Sequence, residues 1–145
     1  MALLYFDTSA LVKRYYEEPG TERVDELIDS DDDVVISSLA IIETVSAFRR
    51  KYNRDELPRD RMNGLLSEFF EEALEDFVIV PVEESIVSFS FDLVLEDDLR
   101  TLDSLQLAAA LSLDTDSRGV RFITADGQLK AVAERRNLPA SNPVA

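Results

Sequence analysis

The chain has 145 residues with 30 acidic and 15 basic side chains, giving a formal net charge of −15, and it contains no histidine, cysteine or tryptophan. Without histidine or cysteine it cannot form a Ser-His-Asp or Cys-His nucleophile system, carry out thiol redox chemistry or hold zinc through those residues. A bound metal ion would have oxygen ligands, which favours magnesium, manganese or calcium. The negative charge repels nucleic acids and anionic membranes unless local patches or cations reverse it.

The spacing of apolar residues predicts short strands that alternate with helices. Thr8 or Ser9 is expected to cap the first helix, Pro19-Gly20 to end it, and Pro58 to lie in the first turn of the fourth helix. In chain order we expect a strand at 3–6, helices at 8–18 and 21–30, a strand at 34–37, helices at 38–52 and 58–74, a strand at 77–80, helices at 84–95 and 103–113, a strand at 120–124, a helix at 128–136 and a marginal edge strand at 142–145.

This alternation predicts a single α/β domain over residues 1–145, with a parallel sheet that helices cover on both faces. No stretch approaches 18 consecutive apolar residues, so we expect no membrane span. The first seven residues lack a basic start and reach an acid too early for a signal peptide. The expected location is the cytoplasm.

Four acidic residues lie where the predicted fold would bring ligands. Asp7 follows the first strand directly, and Asp126 comes two residues after Thr124, where the fourth strand ends. Asp103 opens an apolar helix, and Glu43 lies in the helix that follows the second strand. Because ligands of open parallel sheets bind beyond the carboxyl ends of the strands, these four carboxylates are expected to converge there.

Each of these acids also has an ordinary structural explanation. Asp7 and Asp126 have the position of helix N-caps, Asp103 and Gln106 have the spacing of a capping box, and Glu43 fits a surface position beside an apolar stripe. If the four do converge, ionised carboxylates about 6 Å apart would repel one another by on the order of 15 kcal/mol at an effective dielectric constant of about 20. Such a cluster must protonate, stay hydrated or hold a hard divalent cation.

Four segments also carry a family resemblance. They read FDTSALVK at 6–13, SLAIIE at 38–43, LDSLQLAAA at 102–110 and ITADGQL at 123–129. In this order they resemble the motifs of PIN-domain nucleases, in particular the VapC toxins of type II toxin–antitoxin systems, and the resemblance extends from residue 3 to about residue 138. One departure is Ser104, where the family commonly has a small apolar residue.

The resemblance implies a metal-dependent endoribonuclease with a three-layer α/β/α sandwich, Rossmann-like, around a parallel sheet of four to five strands. Asp7, Glu43, Asp103 and Asp126 would form its acidic quartet. Asp7 and Asp103 would bind Mg²⁺ or Mn²⁺ directly, and the other two through water or a second ion. Ser9 and Thr124 would be supporting hydroxyls. The family also implies an RNA substrate, a small antitoxin partner and a homodimer.

The basic residues are concentrated between the two central helices. Residues 49–61 carry a net charge of +3, so the rest of the chain carries −18. The segment is interpreted either as an RNA-binding surface or as a salt-bridged helical hairpin. The candidate RNA contacts are Arg49, Arg50, Lys51 and Arg54, with Lys13 and Arg14 after the first strand.

Two alternative functions and an adaptation to high salt are also considered. The alternative to an enzyme is a catalytically silent PIN-fold module that binds or regulates through a partner protein. A phosphoryl-transfer protein of the haloacid-dehalogenase-like or receiver type is disfavoured. The first would need an aspartate where Ser9 stands, and the second would need a lysine late in the chain, for which Lys130 is a poor match. The 16 Asp and 14 Glu, set against 3 Lys and 12 Arg, are also typical of a solvated shell suited to high salt.

Overall fold

A five-stranded parallel sheet lies at the centre of the computed structural model, which describes residues 2–145. The strands follow the spatial order β3-β2-β1-β4-β5. In chain order the elements are β1 (Leu3–Phe6), α1 (Thr8–Leu11) with a 3-10 turn (Val12–Arg14), α2 (Thr21–Ile28), β2 (Asp33–Ser37), α3 (Ser38–Asn53), α4 (Arg59–Asp76), β3 (Val78–Val80), α5 (Glu84–Asp97), α6 (Thr101–Leu113), β4 (Val120–Ile123), α7 (Gly127–Arg135) and β5 (Ala140–Ser141).

The predicted α/β class with a parallel sheet is confirmed, and three predicted details were wrong. The helix expected over 8–18 ends at Leu11, because the chain tightens into a 3-10 turn there. The first helix is capped by Asp7, whose carboxylate accepts a hydrogen bond from the Ala10 amide, and not by Thr8 or Ser9. The last strand lies at 140–141 instead of 142–145.

Helices cover the sheet on both faces because successive strand residues point to opposite sides. On one side, Leu4 and Phe6 of β1 belong to a core cluster with residues of α1 to α4. On the other side, Tyr5 of β1 and Phe122 of β4 belong to a second cluster with residues of α5 to α7. The architecture is therefore a three-layer α/β/α sandwich. Among residues 2–145, no helix is long and apolar enough to cross a membrane.

The strand order places a crevice between β1 and β4. From β1 the chain first builds toward one edge of the sheet through β2 and β3, and β4 and β5 then extend the sheet from β1 toward the opposite edge. This reversal is the topological switch point at which open α/β sheets bind their ligands. The Asp7 amide donates to the Ile123 carbonyl at 3.1 Å, which extends the β1–β4 pairing to the residue that follows β1.

Candidate active site

Asp7 lies at the switch point and is almost fully buried, with 4% of its surface exposed. Its Oδ1 accepts hydrogen bonds from the Ser9 hydroxyl at 2.7 Å and the Ala10 amide at 3.1 Å, and its Oδ2 accepts one from the Thr124 hydroxyl at 2.7 Å. Burial nevertheless raises the pKa of Asp7 to about 6, and the nearby charge of Asp103 adds to the increase. The carboxylate is therefore held rigidly while it carries a charge that burial disfavours.

Two hydroxyls join the ends of β1 and β4 around this carboxylate. The Ser9 hydroxyl also accepts a hydrogen bond from the Ala125 amide at 3.0 Å, and the Thr124 hydroxyl accepts one from the Asp126 amide at 3.1 Å. Asp126 caps α7, since its Oδ1 accepts from the amides of the first turn at 2.9 and 3.1 Å. Asp126 can therefore cap α7 and also belong to the site, because capping uses only its Oδ1 atom.

Asp103 lies in the first turn of α6 and is half-buried. Within residues 2–145 its carboxylate accepts no hydrogen bond, and Gln106 is not its capping-box partner, so that structural interpretation was wrong. Burial raises the pKa of Asp103, and the charges of Asp126 and Glu43 raise it further, while Arg100 opposes them. The carboxylate is thus close enough to two other acids to feel their charge and is free to bind a cation.

Glu43 is oriented by a network that sequence reasoning missed. Its Oε1 accepts hydrogen bonds from the Gln106 amide at 2.8 Å and from the Thr8 hydroxyl at 3.1 Å. The Tyr5 hydroxyl in turn donates to Gln106 Oε1 at 2.6 Å. Glu43 is therefore not a free surface residue. Nothing in the sequence indicated this role for Gln106, which had a sufficient explanation as a capping residue.

The four carboxylates line one cavity of about 580 Å³, together with part of the basic segment. Lys51 is held on its wall by Glu18, which is 3.6 Å from the Lys51 ammonium, and by the Tyr16 ring, whose centroid is 4.0 Å from it. The apolar side chains of Ile42 and Leu102 also line the cavity. The four predicted acids, Asp7, Glu43, Asp103 and Asp126, all line it with Glu18, and the cations on the wall are Arg50, Lys51 and Arg54.

The other three candidate RNA contacts lie outside the cavity lining. Lys13 is buried and pairs with Glu18 at 3.1 Å. Arg14 pairs with three carboxylates at distances of 2.8 to 3.0 Å. One belongs to α2, one to the residue that directly follows α2, and one to α4. Arg49 lies over the Tyr52 ring at 5.0 Å. These three cations have structural partners, so fewer basic residues line the cavity than the sequence predicted.

The donor set fits a hard divalent cation. Every candidate ligand is a carboxylate or hydroxyl oxygen. Burial, and to a smaller extent neighbouring negative charge, raises the pKa of Asp7 and Asp103, and a bound cation would stabilise their ionised forms. In the part of the chain that the structure describes, no group of three or more acidic side chains is arranged to hold a metal ion. A cation such as Mg²⁺ is commonly bound by one or two carboxylates and retains several waters, so two direct carboxylates are sufficient.

Comparisons with known proteins give the same fold. The family model for the PIN domain matches residues 4–135. Among curated proteins no sequence match was found. A toxin–antitoxin complex from Klebsiella pneumoniae contains a chain with 19% identity and a TM-score of 0.65, over 99% of this chain and 98% of that one.

Two further solved structures are similar over most of the chain. FitAcB from Neisseria gonorrhoeae contains a chain with 19% identity and a TM-score of 0.70, over 97% of both chains. VapC20 from Mycobacterium tuberculosis, described as a toxin that cleaves the sarcin–ricin loop, has 13% identity and a TM-score of 0.65, over 89% of this chain and 94% of that one. At these identities the similarity establishes the fold.

Proposed function

The chain belongs to the PIN domain family, and from this premise we propose that it is a metal-dependent endoribonuclease and the toxin of a toxin–antitoxin pair. Proteins of this family are generally nucleases. The observation that carries the proposal is the cavity at the switch point, which is lined by the four predicted carboxylates, by Glu18 and by three cations. This combination suits an RNA phosphate, because the carboxylates can hold a cation while the wall attracts the rest of the backbone.

Asp7 and Asp103 are the residues proposed to hold Mg²⁺ or Mn²⁺ directly, with Glu43 and Asp126 acting through water. A bound divalent ion would supply a more acidic water and would neutralise charge that grows on the phosphate. Asp7 is suited to this role because Ser9 and Thr124 fix both of its oxygens before any ligand arrives. Such preorganisation avoids reorganising the carboxylate during the reaction.

The basic wall is proposed to bind the RNA backbone. Arg54 is exposed at the end of α3, Arg50 is one turn earlier, and Lys51 is held in place by Glu18 and Tyr16. Phosphate contacts position a nucleic acid without reading its sequence. The wall therefore explains binding, whereas the choice of RNA must come from shape or from contacts with bases.

An antitoxin partner is proposed from the neighbours, one of which is a toxin–antitoxin complex. A homodimer is proposed on α5, where Val87, Phe91, Val94 and Leu95 are exposed with 39% to 82% of their surface accessible. Between residues 85 and 95 the only charged residue is Asp92, so two copies of a chain that carries −15 can meet there with little repulsion. Light scattering of wild type and Leu95→Glu tests this, and a monomeric wild type would contradict it.

The experiment that tests the activity uses a mixed-sequence RNA pool with Mn²⁺ or Mg²⁺. We expect cleavage by wild type, no cleavage with EDTA, and no cleavage by Asp103→Asn, whose fold is checked by circular dichroism. The control is Asp116→Asn, which removes the same charge from an exposed position in the loop between α6 and β4 and should cleave normally. Cleavage that persists in EDTA would contradict the metal-dependent mechanism, and a wild type without activity would favour a silent binding module.

A further inference from the structure

We infer that Gln106 is a positioning residue that aims Glu43 into the cavity, with Tyr5 holding the Gln106 amide in place. The inference rests on the proposed function, because it deepens the account of the same site. Gln106 is 2% exposed and Tyr5 is fully buried, so neither side chain is available to RNA. Any effect of Gln106 on the reaction must therefore pass through the residues it contacts, Glu43, Thr8 and Tyr5, and Tyr5 also has a hydrogen bond with Ser37.

The orientation of the Gln106 amide follows from the chemistry of its partners. An ionised carboxylate can only accept hydrogen bonds, so the Gln106 atom 2.8 Å from Glu43 Oε1 must be the Nε2 donor. Gln106 Oε1 then faces Tyr5 at 2.6 Å, where the phenol must donate. A flipped amide would place oxygen against carboxylate.

The network leaves one oxygen of Glu43 available. Oε1 accepts from both Gln106 and Thr8, and Thr8 itself accepts from Gln106 at 3.3 Å, so three side chains close a small ring around this oxygen. Among the described residues, none donates a hydrogen bond to Oε2. The half-buried Glu43 therefore presents Oε2 as the free acceptor on the cavity wall.

Packing alone does not explain a glutamine at this position. Gln106 lies in α6 between Leu105 and Leu107, in a helix whose buried residues are mostly leucine and alanine. A buried amide costs free energy unless all its polar atoms are paired, and an aliphatic side chain would avoid this cost. Here the amide is paired at both ends, and one end is a carboxylate of the site. Outer hydrogen-bond partners of this kind typically change metal affinity or activity by about 10- to 100-fold.

The test uses Gln106→Met, which keeps the length of the side chain and removes its donors. Because this leaves the Tyr5 hydroxyl unpaired, Tyr5→Phe/Gln106→Met is made as well, so that both partners become apolar. Steady-state RNA cleavage and Mn²⁺ binding by calorimetry are measured for each. We expect kcat and Mn²⁺ affinity to fall by about tenfold, with KM for RNA unchanged. The control Ser104→Ala removes a different buried polar group, a hydroxyl, from α6 and should change neither kcat nor Mn²⁺ affinity.

The same substitution in a Glu43→Gln background separates positioning from general damage. If Gln106 acts through Glu43, Gln106→Met will not weaken Mn²⁺ binding further once the carboxylate is gone, whereas disruption of the core would lower it in both backgrounds. Unchanged kcat and Mn²⁺ affinity in both Gln106 variants would overturn the inference, and so would an equal loss in the Glu43→Gln background. A wild type that binds Mn²⁺ but does not cleave RNA would overturn the proposed function alone, and one that does neither would overturn both.

Discussion

Replacing Asp7 by asparagine should make the metal-free protein more stable at neutral pH, although it removes a residue of the proposed site. The substitution deletes a buried charge while it keeps a side-chain oxygen that can cap α1. Burial raises the pKa of this carboxyl to about 6, so the folded protein holds the proton more tightly than the unfolded chain does. The penalty is absent below the unfolded pKa near 4 and fully present above pH 6.

The magnitude follows from the two pKa values. A pKa of about 6 in the folded protein and 3.8 in the unfolded chain correspond to about 3 kcal/mol of destabilisation by the ionised carboxylate. Asparagine turns an N–H group toward one of the two hydroxyls that now donate to Asp7, and this mismatch costs about 1 kcal/mol. The net gain of about 2 kcal/mol would raise the melting temperature by roughly 4–8 °C for a chain of this size.

Urea denaturation in EDTA between pH 4 and pH 8 measures this effect. Near pH 4 we expect wild type and Asp7→Asn to have the same free energy of unfolding, apart from the cost of the lost hydrogen bond. As the pH rises through 6, the variant should become more stable than wild type. Asp116→Asn, at an exposed position in the loop between α6 and β4, is the charge-matched control and should show no such rise. A difference that does not depend on pH, or a variant less stable than wild type at pH 8, would refute the reasoning.

Three further predictions concern the surface. Arg54→Gln should weaken RNA binding and reduce the magnitude of the slope of log affinity against log salt concentration by about 0.7. Arg49→Gln, outside the cavity, should leave that slope nearly unchanged. Filter-binding titrations at several salt concentrations measure both slopes. Glu72→Gln should cost about 1–2 kcal/mol in urea denaturation at pH 7, because it breaks a two-point contact with Arg14 at 2.8 and 3.1 Å. Hydrogen bonds from Arg14 and Tyr15 outweigh burial and lower the Glu72 pKa, so this cost should shrink as the pH falls below about 4. If the acid surplus is an adaptation to salt, calorimetry should show a melting temperature that rises from low to molar KCl, and a flat response would contradict it.

The sheet could be predicted because its strands are short apolar runs, whereas the ends of two elements were predicted wrongly, for different reasons. The first helix ends early because Arg14 and Tyr15 both turn to Glu72 on α4, with Tyr15 donating to it at 2.7 Å. The last strand stops at Ser141 because Pro143 has no N–H to continue the ladder. A tertiary contact decided the first boundary, and local chemistry that was available in the sequence decided the second.

The sequence places two of the proposed site acids at the carboxyl ends of strands, whereas the partners that orient Glu43 in α3 are not visible in it. Asp7 and Asp126 follow β1 and β4, which the parallel register brings side by side. Gln106 is different, since its partners Tyr5 and Glu43 are 101 and 63 residues away in the chain. Its spacing from Asp103 offered a local explanation that fitted the sequence, and only the packing of α6 against β1 and α3 excludes it.

The net charge of the chain says little about the proposed RNA substrate, because most of the acidic residues lie outside the cavity. Electrostatic interactions at physiological ionic strength are largely screened beyond about 8 Å, so RNA in the cavity would respond to the side chains that line it. The lining contains three cations of the +3 segment and five carboxylates; Glu18 pairs with Lys51, and the other four form the proposed metal site, where a bound divalent cation would offset their charge. Acids elsewhere on the surface, such as Glu71 and Glu75 beside Arg14, line a separate groove and are screened from the cavity under the same conditions. The acidic surface can therefore keep the protein soluble without preventing RNA from binding, because the two tasks fall to different residues.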